Sequence, residues 1–350
     1  MKISRIKLEN FKRFGNIEIF VKNNLTQDIS DQFLLLGDNG TGKTTVLQAV
    51  ALCLAMVSGK IKNISEFDWP GWVAGRYEIW GKPAIELDVH FSEDEILATQ
   101  EVAQEWFENK GAYAEGKIFI RPGDASMVTV RLERNYYRSV GGTLNNIYQF
   151  RGRKYATDLL TTTPSVRKLF PRLPGVFWFD QYRHLVTENS YLEGVSSLRK
   201  YLNGWWMNKF AGGTDSDWLM ELENNYKFLF PGRSFCGPEP MFRGGSPTPS
   251  DSYFILSDGH RKYDIEEMSA GEQSVFPMLY EFVRMQIRKS VILVDEIDLN
   301  LHPPLAQALL VSLPNIGPGC QFILTTHSED VANLVSSEET FRLPGGRLCL

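Results

Sequence analysis

Cysteine is scarce in this chain, and the chain also lacks the sequence features of secreted and membrane proteins. Its four cysteines are widely separated and form no C-x-x-C pair, which argues against a zinc site or a disulfide framework and favours a reducing compartment. The first residues mix charged with apolar side chains instead of forming the apolar core of a signal peptide. No segment is apolar for long enough to span a membrane. We therefore expect a cytoplasmic protein that does not enter a membrane.

Positive charge is not in excess either. The chain has 37 lysines and arginines and 42 aspartates and glutamates, which gives a formal net charge of −5. A general nucleic-acid binder usually shows a basic excess, so the composition does not favour that class. Charged clusters are usually solvated, but contact with DNA stays open as the alternative for two of them. Their members are Arg131, Arg134 and Arg138 in the first, and Arg151, Arg153 and Lys154 in the second.

A complete phosphate-binding loop lies between a predicted strand at residues 33–36 and a predicted helix from residue 44 to about 56. Residues 37–44 have the sequence GDNGTGKT and match G-x-x-x-x-G-K-[ST] in the strand–loop–helix context that the motif requires. The glycines let backbone N–H groups surround phosphates, Lys43 would reach the terminal phosphates, and the Thr44 hydroxyl would bind Mg²⁺. The candidate nucleotide-binding residues are Gly37, Asp38, Asn39, Gly40, Thr41, Gly42, Lys43, Thr44 and Thr45.

A second candidate region follows the apolar run Val291–Val294, which predicts a central strand ending at the ligand crevice. Asp295 comes next and would hold Mg²⁺, as acids at this position do in P-loop NTPases. Glu296 is placed to orient the attacking water and to accept its proton as a general base. An apolar strand leading into a solvated acidic turn is the commoner meaning of such a pattern, but the phosphate loop makes the catalytic interpretation stronger.

Residues 269–273, with the sequence SAGEQ, precede a predicted helix. A serine followed by glutamate three residues later is an ordinary capping box, and that structural meaning stays open. The N-terminus of the same helix could also donate hydrogen bonds to a phosphate. Further on, His327 follows a predicted strand in the sequence Thr-Thr-His-Ser, where its ring could contact a phosphate or the attacking water.

These motifs occur in the order found in ABC ATPases, and the chain resembles the SMC/RecF/OLD-like branch of that family. The specific segments are LENFKRF at 8–14, the phosphate loop, MSAGEQ at 268–273, DEID at 295–298 and LHP at 301–303. The resemblance covers about residues 1–57 and 253–335. It implies an ATPase that uses ATP and Mg²⁺ and works as a homodimer, with two nucleotides sandwiched between the chains.

The resemblance also implies roles for individual residues. The signature segment of one chain, with Ser269, Gly271 and Glu272, would contact the nucleotide bound to the other chain. Asp298 would lie in the loop that meets the partner, and His327 would be the switch histidine. The remaining candidates are Lys12 and Arg13 near the adenine and phosphates, and Gln181 facing Mg²⁺, with Arg183 as an alternative phosphate contact.

The expected fold is α/β, a P-loop NTPase of the ABC-head type with a mixed, mostly parallel sheet, an antiparallel β lobe and a compact helical insertion. We expect residues 1–160 and 253–350 to form the two halves of the head, with 161–252 as the largely helical insertion. The sequence has no internal repeat and no sustained heptads, so the long coiled coil of SMC proteins is not expected. Nor do we expect a nuclease domain of the OLD type after His327.

Three functional classes remain. The motifs favour a stand-alone AAA-family ATPase of DNA repair or genome defence, as in bacterial defence systems, with DNA as a possible partner. A regulatory ATPase that controls a separate nuclease or toxin effector is the second class. An energy-coupling subunit of a transporter is the third, and it would need a membrane partner. The sequence does not exclude GTP, although it contains no guanine-specific N-K-x-D motif.

Overall fold

The computed structural model describes residues 1–76, 78–79, 81–110, 119–181, 195–210, 216–242 and 248–344. These ranges contain thirteen strands and nine α-helices. The strands are β1 (Lys2–Phe11), β2 (Phe14–Phe20), β3 (Gln32–Leu36), β4 (Ala84–His90), β5 (Met127–Glu133), β6 (Tyr136–Ser139), β7 (Val176–Phe179), β8 (Ser234–Pro240), β9 (Ser252–Ser257), β10 (Lys262–Asp264), β11 (Val291–Val294), β12 (Gln321–Thr326) and β13 (Thr340–Arg342). The α-helices are α1 (Lys43–Val57), α2 (Glu93–Lys110), α3 (Leu144–Tyr148), α4 (Gly152–Leu159), α5 (Ser196–Phe210), α6 (Ser216–Leu229), α7 (Ala270–Arg284), α8 (Pro303–Ile316) and α9 (Glu329–Ala332).

The central sheet has the order β13-β3-β12-β11-β7, and all of its neighbouring strands are parallel. Both faces of this sheet are covered, which explains why most residues of its strands are apolar. Along β11, Leu293 packs in the core around α1, whereas Ile292 and Val294 pack in the core formed with α7 and α8. Because the strands are parallel, the carboxyl ends of β3, β7, β11 and β12 lie at one edge, where the candidate site is found.

A second, antiparallel sheet has the order β2-β1-β4-β5-β6. Helix α1 is almost completely buried and contributes to a core that also contains residues of both sheets. This position explains why α1 is apolar on all sides rather than amphipathic. The predicted α/β fold, with a parallel sheet and an antiparallel β lobe, is therefore confirmed.

A third region combines α5 and α6 with the small sheet β10-β9-β8, and packs with α7 in one apolar core. The sequence prediction assigned all of residues 161–252 to the insertion, but β7 lies within that range and pairs with β11 from Val291↔Val176 to Val294↔Phe179. A four-residue apolar run is too short for its period to distinguish a core strand from an apolar patch. The segment Val176–Phe179 belongs to the central sheet of the head.

No helix in the described part of the chain is long and apolar enough to cross a membrane.

Candidate ATP-binding site

The phosphate loop connects β3 to α1 and depends on glycine at two positions for its shape. Gly40 and Gly42 have φ values of 75° and 106°, a region that other residues rarely adopt. A Cβ atom on Gly42 would also lie 2.6 Å from the Phe14 ring and 2.7 Å from Cδ of Arg13. The β1–β2 turn therefore packs directly against the loop and places Arg13 beside it, while contact of Arg13 with a nucleotide remains a prediction.

Lys43 extends from the first turn of α1 across the mouth of the loop. Its Nζ donates a hydrogen bond to the Gly37 carbonyl oxygen at 2.6 Å and lies 3.1 Å from Nδ1 of His327. Burial lowers the pKa of Lys43, while the carboxylates of Glu296 and Asp295 act in the opposite direction. The ammonium group is thus held at the loop by weak acceptors that a phosphate oxygen could replace.

Asp295 follows β11 and lies beside Thr44 at the carboxyl edge of the sheet. The Thr44 hydroxyl donates to its Oδ2 at 2.8 Å, and the Thr325 hydroxyl at the end of β12 donates to its Oδ1 at 2.7 Å. Burial raises the pKa of Asp295 and outweighs these hydrogen bonds, which favour the charged form. A cation beside this carboxylate would stabilise its ionised state.

The Thr44 hydroxyl and the Asp295 carboxylate form a donor set that fits Mg²⁺, because this ion prefers oxygen ligands and takes few of them from the protein. The described residues contain no group of three or more His, Cys, Asp or Glu side chains that could hold a metal. An ion at this position would therefore take most of its ligands from phosphate and water. That dependence suits a metal that arrives with a nucleotide.

Glu296 has a φ of 51°, in the left-handed region that few non-glycine residues occupy. Its N–H donates to the Thr325 hydroxyl at 2.7 Å, which holds the backbone in this conformation. Its carboxylate lies 3.2 Å from Nε2 of His327, so this nitrogen can donate to Glu296 while Nδ1 accepts from Lys43. His327 thereby connects the phosphate-loop lysine with the candidate general base.

Asp298 lies two residues beyond Glu296, and its carboxylate accepts a hydrogen bond from the Thr326 hydroxyl. Thr325 and Thr326 had no predicted role. Their position at the end of the strand after Asp295 could have predicted such a role. β12 pairs in parallel with β11, so its last residues lie beside Asp295. Hydroxyl groups at the end of β12 can therefore hold the carboxylates of Asp295 and Asp298 in place.

The signature segment 269–273 begins α7, where the exposed Ser269 is the N-cap. The Glu272 N–H donates to the Ser269 hydroxyl at 3.3 Å, and the Ser269 N–H donates to the Glu272 carboxylate at 2.8 Å. Gly271 packs closely on α8, since a Cβ atom there would lie 2.8 Å from Cδ2 of Leu305 and would make that side chain move. The N-terminus of α7 is therefore held against the start of α8, with Ser269 at the surface.

Glu272 is buried within its own chain, and its contact with a nucleotide of another copy remains a prediction. Its carboxylate is buried and accepts hydrogen bonds from the Tyr226 and Tyr263 hydroxyls and from Nε of Arg233. These three groups and the Ser269 N–H occupy both carboxylate oxygens. Glu272 instead joins α6 and β10 to the N-terminus of α7.

Lys12 contacts α1 in this structure, and its place near the adenine and phosphates remains a prediction. Its Nζ donates to Oε1 of Gln48 at 2.6 Å and lies 4.8 Å from the centre of the Trp72 ring. Burial lowers the pKa of Lys12 to about 8. The side chain is a half-buried cation with amide and aromatic neighbours.

Gln181 follows β7 at the same edge of the sheet and is half-buried. The Asp295 N–H donates to the Phe179 carbonyl oxygen at 3.1 Å, which places the end of β7 beside Asp295. Contact between Gln181 and Mg²⁺ remains a prediction. Arg183 lies outside the described residues.

One arginine of each basic cluster is engaged within the protein. Arg131 forms ion pairs with Glu9, Glu86 and Glu133, at 2.8, 3.3 and 2.6 Å respectively. Arg153 donates to backbone carbonyl oxygens, including that of Met285 at 2.7 Å. These two arginines are therefore not available as simple phosphate contacts for DNA.

Two family models match the chain. Residues 1–140 match the model described as "AAA ATPase domain", and residues 164–332 match "AAA domain, putative AbiEii toxin, Type IV TA system". These matches cover both halves of the head and include the phosphate loop, the signature segment and Asp295–Glu296. Both halves of the chain therefore match models of AAA-family ATPase domains, as the resemblance to an ATPase head implies.

Several curated proteins are similar to the chain. The retron Vc95 probable ATPase of Vibrio cholerae is 23% identical over 97% of this chain and 73% of its own length. Septu protein PtuA of Bacillus mycoides is 22% identical over 96% of this chain, which spans 41% of that protein. PtuA of Bacillus thuringiensis is 23% identical over 89% of the chain and 69% of its own length. Because the chain matches only part of each relative, activities of the whole relatives do not transfer directly.

Similar solved structures include the SMC head bound to the C-winged helix domain of ScpA. It has a TM-score of 0.47 and 17% identity over 96% of this chain and 92% of that one. The SMC head domain from Thermotoga maritima has a TM-score of 0.45 and 13% identity, with 96% and 93% of the two chains covered.

Proposed function

We propose that two copies of this chain close on two ATP molecules, each held between the phosphate loop of one copy and the signature segment of the other. The observation that carries this proposal is that the hydrogen bonds of the described residues join the phosphate-loop side chains to one another and not to Ser269. Lys43, Thr44, Asp295, Glu296 and His327 form one hydrogen-bonded cluster. Ser269 is instead an exposed N-cap that contacts Glu272 of its own helix. A helix N-terminus at the surface is suited to a phosphate presented by another copy.

Within each site, Glu296 would orient the attacking water and accept its proton. Its backbone is fixed by Thr325, and its carboxylate is positioned by His327. Lys43 would move from its carbonyl and imidazole partners to the terminal phosphate oxygens. Mg²⁺, held by Thr44 and Asp295, would supply positive charge against the phosphates when bound. Loss of the terminal phosphate would then remove the ligand shared by the two copies and loosen the dimer.

Mixing two inactive variants tests whether each site is built from two chains. Lys43→Ala damages the phosphate loop, and Ser269→Arg blocks the signature segment at an exposed position. Each variant alone should have little ATPase activity. Because a mixed two-fold dimer contains one site with both defects and one intact site, an equal mixture should recover up to about a quarter of the wild-type rate. A mixture as inactive as its components would contradict the two-chain site.

For the cellular role, we propose an ATPase of genome defence that controls a separate effector protein. The similarity to retron and Septu proteins and to a family model described as a putative toxin supports this context. The engagement of Arg131 and Arg153 within the protein weakens the alternative of direct DNA binding through the two basic clusters. DNA binding by the purified chain that weakens steeply with salt would instead favour that alternative.

A further inference from the structure

A pocket of about 320 Å³ lies beyond the end of α1 that is opposite the phosphate loop. Its wall includes Ser58 and Gly59 after α1, Lys154 on α4, and Gly175 and Val176 at the start of β7. Helix α1 has 15 residues and is therefore about 22 Å long, so this pocket is separate from the site around Lys43. Its volume is at the lower end of the range for small-molecule sites.

Cationic side chains dominate the charged lining of this pocket. Four cationic residues contribute to the wall together with one carboxylate, that of Asp158, and the four are Lys60, Lys62, Arg153 and Lys154. Burial lowers the pKa of Lys154, and the charges of Arg151 and Lys62 lower it further, while Asp158 acts in the opposite direction. The cations are thus close enough to repel one another, and one carboxylate does not balance them.

Helix capping explains the hydrogen bonds of these cations but does not neutralise their charge. Nζ of Lys154 donates to the Gly59 carbonyl oxygen at 2.9 Å, just beyond the end of α1. The Arg153 guanidinium donates to four carbonyl oxygens, those of Met285, Gln286, Phe170 and Leu173. Burial lowers the pKa of Arg153 to about 10. Carbonyl dipoles offset part of this positive charge, whereas an anion would offset it fully.

The other part of the wall is apolar and aromatic. It is formed by Phe150, Pro174, Val176, Phe177 and Met285. The Phe177 ring lies 5.0 Å from the centre of the Arg153 guanidinium, so a cation and an aromatic face meet within the same pocket. A ligand that matches both parts needs a negative group and a flat apolar group.

We propose that this pocket binds a small phosphorylated organic anion of about the size of a nucleoside monophosphate. Its phosphate lies at Lys62 and Lys154, and its flat apolar group lies against the side formed by Phe150 and Phe177. The ligand contacts the end of α1 and the start of β7. Both elements reach the ATP-binding edge at their other ends, through Lys43 and Phe179 respectively. The pocket is therefore a second ligand site in the head, distinct from the one for ATP.

Calorimetric titration of the full chain carrying Lys43→Ala tests this site while the phosphate loop is impaired. AMP should bind with a dissociation constant below about 1 mM, and inorganic phosphate and adenosine should each bind at least about tenfold more weakly. Adding Lys62→Ala or Lys154→Gln should weaken AMP binding by about tenfold or more, because each removes a charge-assisted contact. Lys168→Ala, at an exposed lysine outside the pocket, should leave the affinity unchanged.

Melting temperatures of all variants show whether a loss of binding reflects a loss of folding. Because the Lys62 side chain is exposed, Lys62→Ala should not unfold the chain. Failure of AMP to bind the Lys43→Ala protein would overturn the proposal. So would AMP binding that is unaffected by Lys62→Ala in a folded protein, because the nucleotide would then be bound elsewhere. Phosphate alone binding as tightly as AMP would refute the apolar half of the site.

Discussion

At the scale of single residues, Lys43 and Asp295 show how the site favours a charged ligand. Burial lowers the pKa of Lys43 and raises that of Asp295, so the protein environment opposes the charged form of both. A triphosphate would stabilise the ammonium, and a divalent cation would stabilise the carboxylate. The backbone of Glu296, with φ at 51°, adds local strain at the same place. Such strain is common where a side chain must be aimed at a substrate.

Lys12 gives a prediction about pH, since burial lowers its pKa to about 8. In the unfolded chain this lysine keeps its proton up to a pH of about 10.4. Between these two values the unfolded state binds more protons, so the contribution of Lys12 to the free energy of unfolding rises with pH. Denaturant titrations at pH 7.5 and 9.5 give the free energy of unfolding of wild type and of Lys12→Met. The value for wild type minus the value for Lys12→Met should be larger at pH 9.5 than at pH 7.5.

The matched control for this comparison is Lys168→Met, at an exposed lysine. Its difference from wild type should stay constant over the same range. A constant or falling difference for Lys12→Met would mean that Lys12 is not desolvated in the folded protein.

At the scale of secondary-structure elements, the sequence predicted the parts whose signal is local. The phosphate loop, the strand β11 and the N-cap Ser269 each depend on neighbouring residues, so their patterns were sufficient. The burial of Glu272 depends on Tyr226, which is 46 residues away, and no local pattern reveals that contact. The strand β7 was assigned to the insertion for the same reason, because its membership of the sheet depends on its pairing with β11.

The packing of α7 on α8 gives a prediction with an internal control. A Cβ atom on Gly271 would lie 2.8 Å from Leu305, whereas one on Gly204 in α5 would meet no atom within 4 Å. Gly271→Ala should force the half-buried Leu305 side chain to move, so it should reduce ATPase activity by shifting Ser269 while the free energy of unfolding changes by less than about 1 kcal/mol. Gly204→Ala should raise stability by about 0.5–1 kcal/mol, since alanine is favoured over glycine inside a helix.

Denaturant unfolding and steady-state ATPase rates of the two variants provide the measurement. Equal effects of the two substitutions on both quantities would show that the contact between α7 and α8 does not position the signature segment.

At the scale of the whole molecule, the two ends of the chain form one head around the central sheet. The N-terminal part supplies the phosphate loop through β3 and α1, and the C-terminal part supplies Asp295, Glu296 and His327 through β11 and β12. The sequence predicted this assembly because the carboxyl ends of parallel strands share one edge. The order of the strands and the packing of α5 and α6 on α7 were not predictable, since they depend on contacts between distant segments.

The central claim is that ATP joins two heads, and the mass in solution of Glu296→Gln with and without Mg²⁺-ATP tests it most directly. This variant should bind ATP but hydrolyse it at least about 100-fold more slowly, because it lacks the general base. With ATP its mass should double from the 39.9 kDa of one chain, while Lys43→Ala should stay at that value. A mass of Glu296→Gln that does not respond to ATP would contradict the ATP-gated dimer.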